Sequence, residues 1–423
     1  MEQLVDILVV GAGPAGTAAA ATLARAGRAV LVVDKARFPR DKCCGDGLTT
    51  LALRELDALG FDPATVPNWC TVDAAWLRSP SGREVCVPLP SAEHPELGVY
   101  AATTPRRELD AALVQLAREA GARVADGHAL TSVCQDAAGV TAEVDGLGTV
   151  RARYLVAADG MWSPTRKLLG RHEPGYLGEW HAFRQYARNI TGPAAERLYV
   201  WFEADLLPGY AWSFPLPHGR VNLGFGILRD GTRKVQDMKA LWADLLARPH
   251  VVEALGPGFE LEDRHTAWPI PARIEGATLS DGRVLFVGDA AKATDTMTGE
   301  GIGQALLTGR LAAEAVLASG ALQPDAVAER YRHEVHHHLV ADHRMSARLS
   351  RVLASERGAR GALRIVASSG RWGRRNFARW MFEDEPRAVA LTPARWHRAV
   401  LRRPGAYAGR TTQRASERAG VRG

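Results

Sequence analysis

The sequence predicts an α/β protein (α+β overall) with a parallel-sheet domain, an inserted antiparallel sheet and a helical C-terminal region. Three observations lead to this fold class. A glycine-rich turn follows an apolar N-terminal strand, aromatic strands run from about 180 to 228, and the chain beyond residue 321 is helical in pattern and rich in arginine. With 423 residues, the chain is long enough for two or three domains.

The composition is that of an ordinary globular protein, with 46% hydrophobic and 24% charged residues. No run of about 18 apolar residues could span a membrane, and the N-terminus lacks the basic start and the cleavage site of a signal peptide. The five cysteines have no framework spacing, which is typical of reduced thiols. These features predict a cytoplasmic protein.

The N-terminal segment has the pattern of a dinucleotide-binding βαβ unit. Residues 4–10 form an apolar run typical of a buried parallel strand, followed by a glycine turn, an Ala-rich helix and a second strand at 29–33. Glycines allow the backbone to approach a pyrophosphate, the helix N-terminus supplies free N–H groups, and Asp34 can accept from a ribose hydroxyl. The expected contacts are Gly11, Gly13, Pro14, Ala15, Gly16, Asp34 and Lys35.

The other elements of this domain are spread along the chain. The sequence predicts a helix at 105–120, hairpin-like strands at about 129–135 and 140–145, and buried strands at 154–158 and 283–287. The last of these strands leads into a second glycine-containing segment.

In that second segment, Asp289 follows Gly288 at a strand end and can accept from a ribityl hydroxyl. The turn from Gly299 to Gly301 lets the backbone approach an isoalloxazine ring. The helix that begins near Ile302 points its N-terminus at the ring and stabilises negative charge on a reduced flavin. The two segments together indicate FAD held at both ends by one domain, and therefore a redox enzyme.

Five sequence blocks carry a resemblance to a known family. They are Phe38-Pro-Arg-Asp-Lys-Cys-Cys-Gly-Asp-Gly-Leu-Thr, Arg106-x-x-Leu-Asp, Ala158-Asp-Gly-x-x-Ser-Pro-x-Arg, Pro208-Gly-Tyr-Ala-Trp-Ser-Phe-Pro-Leu, and Gly288-Asp-Ala-Ala with Thr298-Gly-Glu-Gly-Ile. Over roughly residues 4–320, the chain resembles the geranylgeranyl reductase family of flavoproteins, within the group similar to p-hydroxybenzoate hydroxylase. The Cys-Gly-Asp-Gly-Leu-Thr and Tyr-x-Trp-x-Phe-Pro blocks favour the reductase branch over hydroxylases.

The resemblance implies a glutathione-reductase-like FAD domain and a substrate domain built on the antiparallel sheet. The FAD domain would comprise residues 1–75, 105–178 and 275–330, the substrate domain 76–104 and 179–274, and the helical C-terminal region 331–423. The implied reaction is hydride transfer from reduced flavin to an isoprenoid double bond, with NAD(P)H or a ferredoxin as electron donor. The runner-up is an FAD monooxygenase acting on an aromatic or polyketide-like compound, because both classes share the FAD scaffold.

Site residues follow from the same resemblance. Cys44 and Gly45 would lie at the flavin face, Arg106 with Asp289 would hold the pyrophosphate and ribityl, and Asp159 would support the FAD domain. Three aromatic residues would line an apolar channel for a small prenyl-type substrate, or form plain sheet core: Tyr210, Trp212 and Phe214.

Two residues are candidates for catalysis, since reduction of an alkene needs a proton as well as a hydride. Cys44 could deliver this proton or form a wall of the site, and Asp46 could polarise or protonate the substrate. A lone cysteine is more often a packed small residue, so both interpretations stay open.

The loop before the Thr-Gly-Glu-Gly turn departs from the family pattern. Close relatives carry Asn-Pro where this chain has Asp295-Thr296. Threonine does not stiffen a loop as proline does. FAD binding is expected to survive this change, whereas the mobility of the flavin, and with it the substrate range, stays open. Lys292 would add a charge close to the expected ring.

The C-terminal region is strongly basic. Residues 341–423 contain nineteen Arg and no Lys against six Asp or Glu, and the last fifteen or so residues are expected to be disordered. No nucleic-acid-binding motif accompanies the charge, so no nucleic-acid partner is expected. A solvated helical face and peripheral contact with an anionic membrane both stay open.

The same region contains an HExxH match from His333 to His337, with His343 near the place of a third zinc ligand. That pattern needs a turn at Val340, where a β-branched residue resists positive φ. In a continuing helix, His343 lies about 240° around the axis from His337. The sequence therefore predicts no metal site.

Overall fold

The computed structural model describes residues 3–229, 237–319, 323–391, 400 and 402–408, so the segment expected to be disordered lies outside the described residues. The strands are β1 Gln3–Val10, β2 Val30–Asp34, β3 Gly47–Leu48, β4 Cys70–Thr71, β5 Ala74–Arg78, β6 Glu84–Pro88, β7 Ala102–Thr103, β8 Arg123–Asp126, β9 Leu130–Gln135, β10 Val140–Val144, β11 Gly148–Ala157, β12 Trp180–Arg188, β13 Leu198–Trp201, β14 Tyr210–Leu216, β15 Arg220–Leu228, β16 Glu260–Ile270, β17 Ser280–Asp281 and β18 Val284–Phe286. The helices are α1 Pro14–Arg25, α2 Thr50–Ala58, α3 Arg106–Glu119, α4 Pro164–Leu168, α5 Asp237–Ala247, α6 Pro249–Leu255, α7 Ile302–Ser319, α8 Pro324–Val335, α9 Ala341–Leu353, α10 Glu356–Ser368 and α11 Gly370–Met381.

The predicted parallel-sheet domain is confirmed. Parallel strands lie in the order β8-β2-β1-β11-β18, the hairpin β9–β10 joins the side of β11, and β17 lies at the edge. The second half of β1 is a fully buried run of Ile, Leu and Val, as expected for a strand covered on both faces. Because these strands run in one direction, their carboxyl ends meet at the edge where α/β sheets bind ligands.

Helices α1 and α7 pack against each other at this edge through small residues. A Cβ atom on Gly309 would lie 2.1 Å from the Ala15 carbonyl oxygen, so glycine is required for the contact. The Gly288 amide also donates to the Thr308 hydroxyl at 2.9 Å. This packing brings the turns before α1 and α7 to the same side of the sheet.

The second sheet has the strand order β16-β12-β15-β14-β13-β5-β6 and is antiparallel apart from the β13–β5 pair. Side chains alternate between its two faces. In β13, Tyr199 and Trp201 pack in the core formed with α5 and α6, whereas Leu198 and Val200 face a cavity on the other side. The sheet therefore contributes one face to its own core and the other face to a ligand site.

The described C-terminal region is helical, as predicted. Helix α8 continues through a π-helical turn at His336–Val340 directly into α9, so the chain does not turn at Val340 as a zinc-binding HExxH site would require. Among the described residues, no group of three His, Cys, Asp or Glu could hold a metal ion. Nor does that part of the chain contain a helix long and apolar enough to cross a membrane.

Candidate active site

One cavity of about 1250 Å³ runs from the carboxyl edge of the parallel sheet to the open face of the second sheet. Its first end is lined by the N-terminal glycine turn, and its middle by the Cys-Gly-Asp-Gly loop and the Thr-Gly-Glu-Gly turn. Its far end is lined by apolar side chains. This volume exceeds the usual range of about 300–1,000 Å³ for a single ligand site, so the cavity has room for a cofactor and a substrate together.

The N-terminal turn is shaped by close contacts between backbone atoms. Gly11 has a φ of 104°, and a Cβ on it would lie 2.2 Å from the Ala158 carbonyl oxygen. A Cβ on Gly16 would lie 1.8 Å from the Gly11 carbonyl oxygen. Around Gly13, in contrast, the nearest side-chain atom lies 3.7 Å from the Cβ position. The turn thus leaves space for a ligand beside the N-terminus of α1, where anions bind.

Asp34 lies at the same end of the cavity, at the carboxyl end of β2. Its Oδ2 accepts from the Ala12 amide and its Oδ1 from the Ala36 amide, both at 2.8 Å. These contacts fix the carboxylate, and each oxygen keeps a lone pair for a ribose hydroxyl. Six of the seven residues predicted at this end line the cavity, Lys35 among them, and Gly16 packs behind them.

Three basic side chains line the cavity between this end and its middle: Arg40, Lys42 and Arg106. Arg106 donates from Nε and Nη2 to the two Asp110 carboxylate oxygens, each at 3.0 Å. Burial lowers the pKa of Lys42, whose Nζ lies 3.9 Å from the centre of the Trp268 ring. Arg40 and Lys42 were not predicted as contacts, although both lie in a block that carries the family resemblance. Basic groups at this point suit a pyrophosphate.

The Cys-Gly-Asp-Gly loop crosses the middle of the cavity. Cys44 and Gly45 line the cavity, whereas Asp46 is buried behind them. Asp46 Oδ2 accepts from the Tyr186 hydroxyl at 2.6 Å and from the Asn222 amide at 2.8 Å. Asn222 also donates to the Cys44 carbonyl at 2.9 Å. The geometry therefore gives Asp46, a predicted catalytic candidate, the task of fastening the loop to β12 and β15.

Burial governs the protonation of both candidates for catalysis. It raises the pKa of the Cys44 thiol to about 11, so this thiol is protonated at neutral pH. It also raises the pKa of Asp46 to about 6, against the opposing influence of Arg184 and the hydrogen bonds from Tyr186 and Asn222. Of the two, Cys44 is the residue that lines the cavity, and its Sγ accepts from the Asp46 amide at 3.4 Å.

The second glycine-containing segment approaches the middle of the cavity from the opposite side. Asp289 lines the cavity, and its Oδ1 accepts from the Thr294 hydroxyl at 3.4 Å. Gly299, with a φ of 69°, lines the cavity together with Gly301 and Ile302. The predicted contacts of this segment thus share one cavity with those of the N-terminal turn.

Asp159 and Gly288, also predicted, line the cavity just beyond β11 and β18. The Asp159 carboxylate accepts from the Ser163 hydroxyl at 2.7 Å and from the Thr165 amide at 2.8 Å. It therefore holds the turn that follows β11.

Glu300 is a cavity residue that the sequence did not single out. Its Oε1 accepts from the Ile302 amide at 2.9 Å and the Gly303 amide at 3.1 Å, so the side chain caps α7. Burial raises the pKa of the Glu300 carboxyl. A ligand atom with negative character would compete with this carboxylate for the helix N-terminus.

The loop before α7 is held by Asp295, although it lacks the proline of the family pattern. Asp295 Oδ1 accepts from the Met297 amide at 3.0 Å, the Thr298 amide at 2.8 Å and the Thr298 hydroxyl at 2.9 Å. Its Oδ2 accepts from the Ser346 hydroxyl at 2.7 Å and pairs with Arg387 Nη1 at 2.5 Å. Hydrogen bonds thus supply the stiffness that proline would supply covalently.

Lys292 does not place its charge in the cavity, so that expectation is wrong. The Lys292 side chain is buried, and its Nζ pairs with Glu173 and lies 4.1 Å from the centre of the Tyr176 ring. Burial lowers the pKa of Lys292 although Glu173 opposes the shift. The charge is neutralised outside the cavity lining.

The far half of the cavity is apolar, and one of its walls is the second sheet. The predicted residues Tyr210, Trp212 and Phe214 line this wall. The Tyr210 hydroxyl donates to the Thr298 carbonyl, and Trp212 Nε1 donates to Asn222 Oδ1 at 3.0 Å. The polar atoms of these rings are therefore satisfied within the protein, and their apolar surfaces are left for a ligand.

The opposite wall comes from the C-terminal helices, which were not predicted to contribute. It consists of Leu349, Val352, Leu353, Leu363, Ile365, Val366, Phe377, Trp380 and Met381. In α9 and α11 these residues recur at spacings of three and four, the pattern of one apolar helix face. That spacing is the sequence signal that could have identified the wall.

The residues fit FAD at the polar end of the cavity. The glycine turn, Asp34 and the three basic side chains match the ribose and pyrophosphate of a dinucleotide, and the N-terminus of α7 meets the cavity where the polar and apolar halves join. The polar half suits the cofactor and the apolar half a substrate. Fold and site together define an FAD-dependent oxidoreductase.

Comparisons with known proteins identify the family. The model of the FAD binding domain family matches residues 4–318. The menaquinone reductase of Mycolicibacterium smegmatis is 35% identical over 350 residues, which cover 76% of this chain and 78% of that protein. Digeranylgeranylglycerophospholipid reductase 1 of Methanopyrus kandleri is 33% identical over 318 residues, which cover 73% of this chain and 79% of that protein. The chain belongs to the FAD binding domain family and, within it, to the geranylgeranyl reductase group.

A solved structure gives the same result for the fold. The crystal structure of a geranylgeranyl bacteriochlorophyll reductase-like protein from Thermoplasma acidophilum matches with a TM-score of 0.77 at 21% identity. The match covers 94% of this chain and 100% of that one. It therefore includes the C-terminal helices as well as the two sheets.

Proposed function

We propose that this chain saturates a carbon–carbon double bond of a prenyl-type substrate, with reduced FAD as the hydride donor. The observation that carries the proposal is the apolar far half of the cavity, which lies between the second sheet and α9–α11 and is called the apolar slot below. Cys44 lines the same cavity. A prenyl chain has no hydrogen-bonding groups, so an apolar slot can bind it by burial alone. The names of the two relatives, a menaquinone reductase and a digeranylgeranylglycerophospholipid reductase, support this substrate class.

FAD supplies the hydride when bound and reduced, and the residues of the chain bind the substrate, exclude water and supply a proton. We assign proton delivery to Cys44, because this residue lines the cavity and its thiol is protonated. Transfer of this proton to the second alkene carbon leaves a thiolate, which burial disfavours and the nearby Arg106 guanidinium stabilises. Asp46 positions the loop, and solvent returns the proton after product release.

Anaerobic turnover tests the proposal. The holoenzyme is reduced with NAD(P)H or a reduced ferredoxin, a menaquinone or a geranylgeranyl lipid is added without oxygen, and products are analysed by mass spectrometry. Reduction of a quinone ring to its quinol would also add two hydrogens, so products are reoxidised in air before mass spectrometry. We expect reoxidation of the flavin and a product that stays heavier by two hydrogens after this step, and we expect Cys44→Ala to keep FAD but lose most turnover. The monooxygenase alternative would instead show no anaerobic reoxidation, and a hydroxylated aromatic product only with oxygen.

Peripheral contact with an anionic membrane through α9–α11 is a second part of the proposal. Val352, Ile365 and Trp372 are 54%, 71% and 61% exposed, and the first two also line the cavity. Arginines are frequent on the same helices, and exposed apolar residues among basic ones are typical of helices that lie on anionic lipid. Such contact would place the apolar slot next to a membrane-dissolved substrate.

Vesicle sedimentation tests this contact. The holoenzyme is expected to bind vesicles of anionic phospholipid more than vesicles of phosphatidylcholine. Ile365→Asp with Trp372→Asp should abolish the difference, whereas Leu261→Asp, at a 40% exposed position on β16, should leave it intact. Equal binding to both lipids, or equal loss in both variants, would rule out docking through α9–α11.

A further inference from the structure

A buried ionic cluster joins the C-terminal region to the turn before α7, and the proposed reaction does not use it. The cluster consists of Asp295 from the loop, Ser346 from α9, and Glu383 and Arg387 from the segment after α11. Arg387 is 2% exposed, so these contacts exclude solvent. Sequence motifs assign no role to Ser346, Glu383 or Arg387, and they mark Asp295 only as a departure from the Asn-Pro of the family pattern.

Arg387 contacts three partners that shape the turn. Its Nη1 lies 2.5 Å from Asp295 Oδ2 and donates to the Ser346 hydroxyl at 3.2 Å, and its Nη2 donates to the Thr298 hydroxyl at 3.3 Å. Asp295 and Thr298 are also bonded to each other. One guanidinium group therefore fixes both ends of the loop that leads into Gly299.

The neighbouring Glu383 extends the cluster to two further cavity elements. Its Oε1 lies 3.2 Å from Arg387 Nη1 and accepts from Gln304 in α7 at 2.8 Å. Its Oε2 accepts from the Thr49 hydroxyl at 2.9 Å, and Thr49 lines the cavity just before α2. The cluster thus connects the loop, the first turn of α7 and the N-terminus of α2.

The positive charge of Arg387 favours the ionised forms of the two buried acids in the cluster, Asp295 and Glu383. Burial opposes ionisation of Asp295, yet Arg387 and the loop donors lower the pKa of this carboxyl. Burial raises the pKa of Glu383, and Arg387 opposes that shift. Without Arg387, the acids would be buried without a compensating charge, which is strongly unfavourable. The loop would then have to rearrange or take up a proton.

We propose that Arg387 is a positioning residue for the flavin: it holds the turn from Asp295 to Gly301, and the N-terminus of α7 behind it, in the shape that binds the isoalloxazine end of FAD. The C-terminal region is therefore part of the cofactor site as well as a wall of the substrate slot. This inference holds for any substrate of the enzyme.

The test compares Arg387→Met with Arg379→Met in the full-length protein. Arg379 is 4% exposed and pairs with Asp384 in the same region, but it makes no contact with residues 295–301 among the hydrogen bonds and ion pairs of the described chain. FAD dissociation constants of the apo-proteins and the midpoint potential of the bound flavin are measured. We expect Arg387→Met to weaken FAD binding by about tenfold or more and to move the potential to a more negative value. Arg379→Met should lower thermal stability, keep the FAD dissociation constant within a factor of three of the wild-type value and leave the midpoint potential unchanged.

Asp295→Asn keeps the test decisive if Arg387→Met fails to fold. This variant breaks the same contact from the loop side and should also weaken FAD binding. In the double variant, the loss should be no greater than that of the more affected single variant, because both changes remove one interaction. Equal FAD affinity in Arg387→Met and Arg379→Met, or additive losses in the double variant, would overturn the proposal.

Discussion

Two glycine-containing turns face the same cavity, but different forces hold them. In the N-terminal turn, the Cβ positions of Gly11 and Gly16 are filled by backbone atoms at 2.2 and 1.8 Å. At Gly299 in the second turn, the nearest atom lies 4.0 Å from the Cβ position, and the loop is held by the charged pair of Asp295 and Arg387. The first turn is shaped by steric exclusion and the second by buried charge.

Because different forces hold the two turns, we expect their shapes to respond differently to pH and to changes elsewhere in the protein. A turn fixed by backbone contacts has one shape under all conditions, which suits the invariant pyrophosphate of a dinucleotide. A turn fixed by hydrogen bonds and ion pairs responds to protonation and to its partners in another region. The isoalloxazine end, where the chemistry takes place, is therefore the end open to adjustment.

The largest effect is expected from Gly16→Ala, compared with Gly299→Ala. The new Cβ at position 16 has no space, so the turn or α1 must shift, at a cost of about 3 kcal/mol. At Gly299 there is space, and only the positive φ of 69° is unfavourable, by about 1 kcal/mol. Urea denaturation of the apo-proteins measures both losses, and FAD absorbance of the purified proteins shows whether the cofactor is retained.

Gly276→Ala serves as the control for these variants, because the Cβ position of Gly276 is open and its φ is ordinary. It should change stability by less than about 0.5 kcal/mol. If Gly16→Ala retained FAD and lost no more stability than Gly299→Ala, the steric account of the first turn would be wrong.

A pH dependence is expected from the Cys-Gly-Asp-Gly loop, a third segment of the site that is held by a buried carboxyl, and not from the sterically shaped N-terminal turn. Burial raises the pKa of Asp46 to about 6, whereas the unfolded value is about 3.9. A carboxyl with a raised folded pKa stabilises the protein below its unfolded pKa, and this contribution is lost as pH rises through the folded pKa. Between pH 4 and 6.5, the free energy of unfolding should fall by at most about 3 kcal/mol from this group.

The difference between wild type and Asp46→Asn isolates this term, since other groups titrate alike in both proteins. That difference should change across pH 4–6.5 in urea denaturation. A difference that stayed constant with pH would show that Asp46 is not an ionisable buried anchor.

The comparison of the two turns also explains which parts of the site were predictable from the sequence. Steric shaping requires glycine at fixed spacings, so the Gly11–Gly16 pattern, the strands around it and the cavity position of Asp34 could be predicted locally. The parallel-sheet domain and the aromatic sheet followed from apolar runs of strand length. These predictions depend on residues that are close together in the sequence or repeat with a simple period.

Charge-held features depend on partners that are distant in the sequence, and they were missed. Arg387 lies ninety-two positions after Asp295, and nothing in either local segment indicates the pairing. For the same reason the departure from Asn-Pro suggested a looser loop, when Asp295 itself provides the missing rigidity. The apolar wall of α9–α11 could have been predicted from the helical spacing of its residues in α9 and α11, although basic residues on the same helices are also typical of a solvated face.

The smallest effect is expected from Lys292→Met. This variant tests whether FAD binding needs the Asp295–Arg387 pair in particular or any charged residue near the turn. The ion pair of Lys292 is with Glu173, whose side chain is 52% exposed, so its loss should cost about 1 kcal/mol or less. FAD affinity should stay within a factor of two of the wild type, because Lys292 does not line the cavity. Asp295→Asn, three positions further along the same loop, should weaken FAD binding clearly. If Lys292→Met weakened it as much, any charge in the loop would serve, and the specific role of the Asp295–Arg387 pair would have to be abandoned.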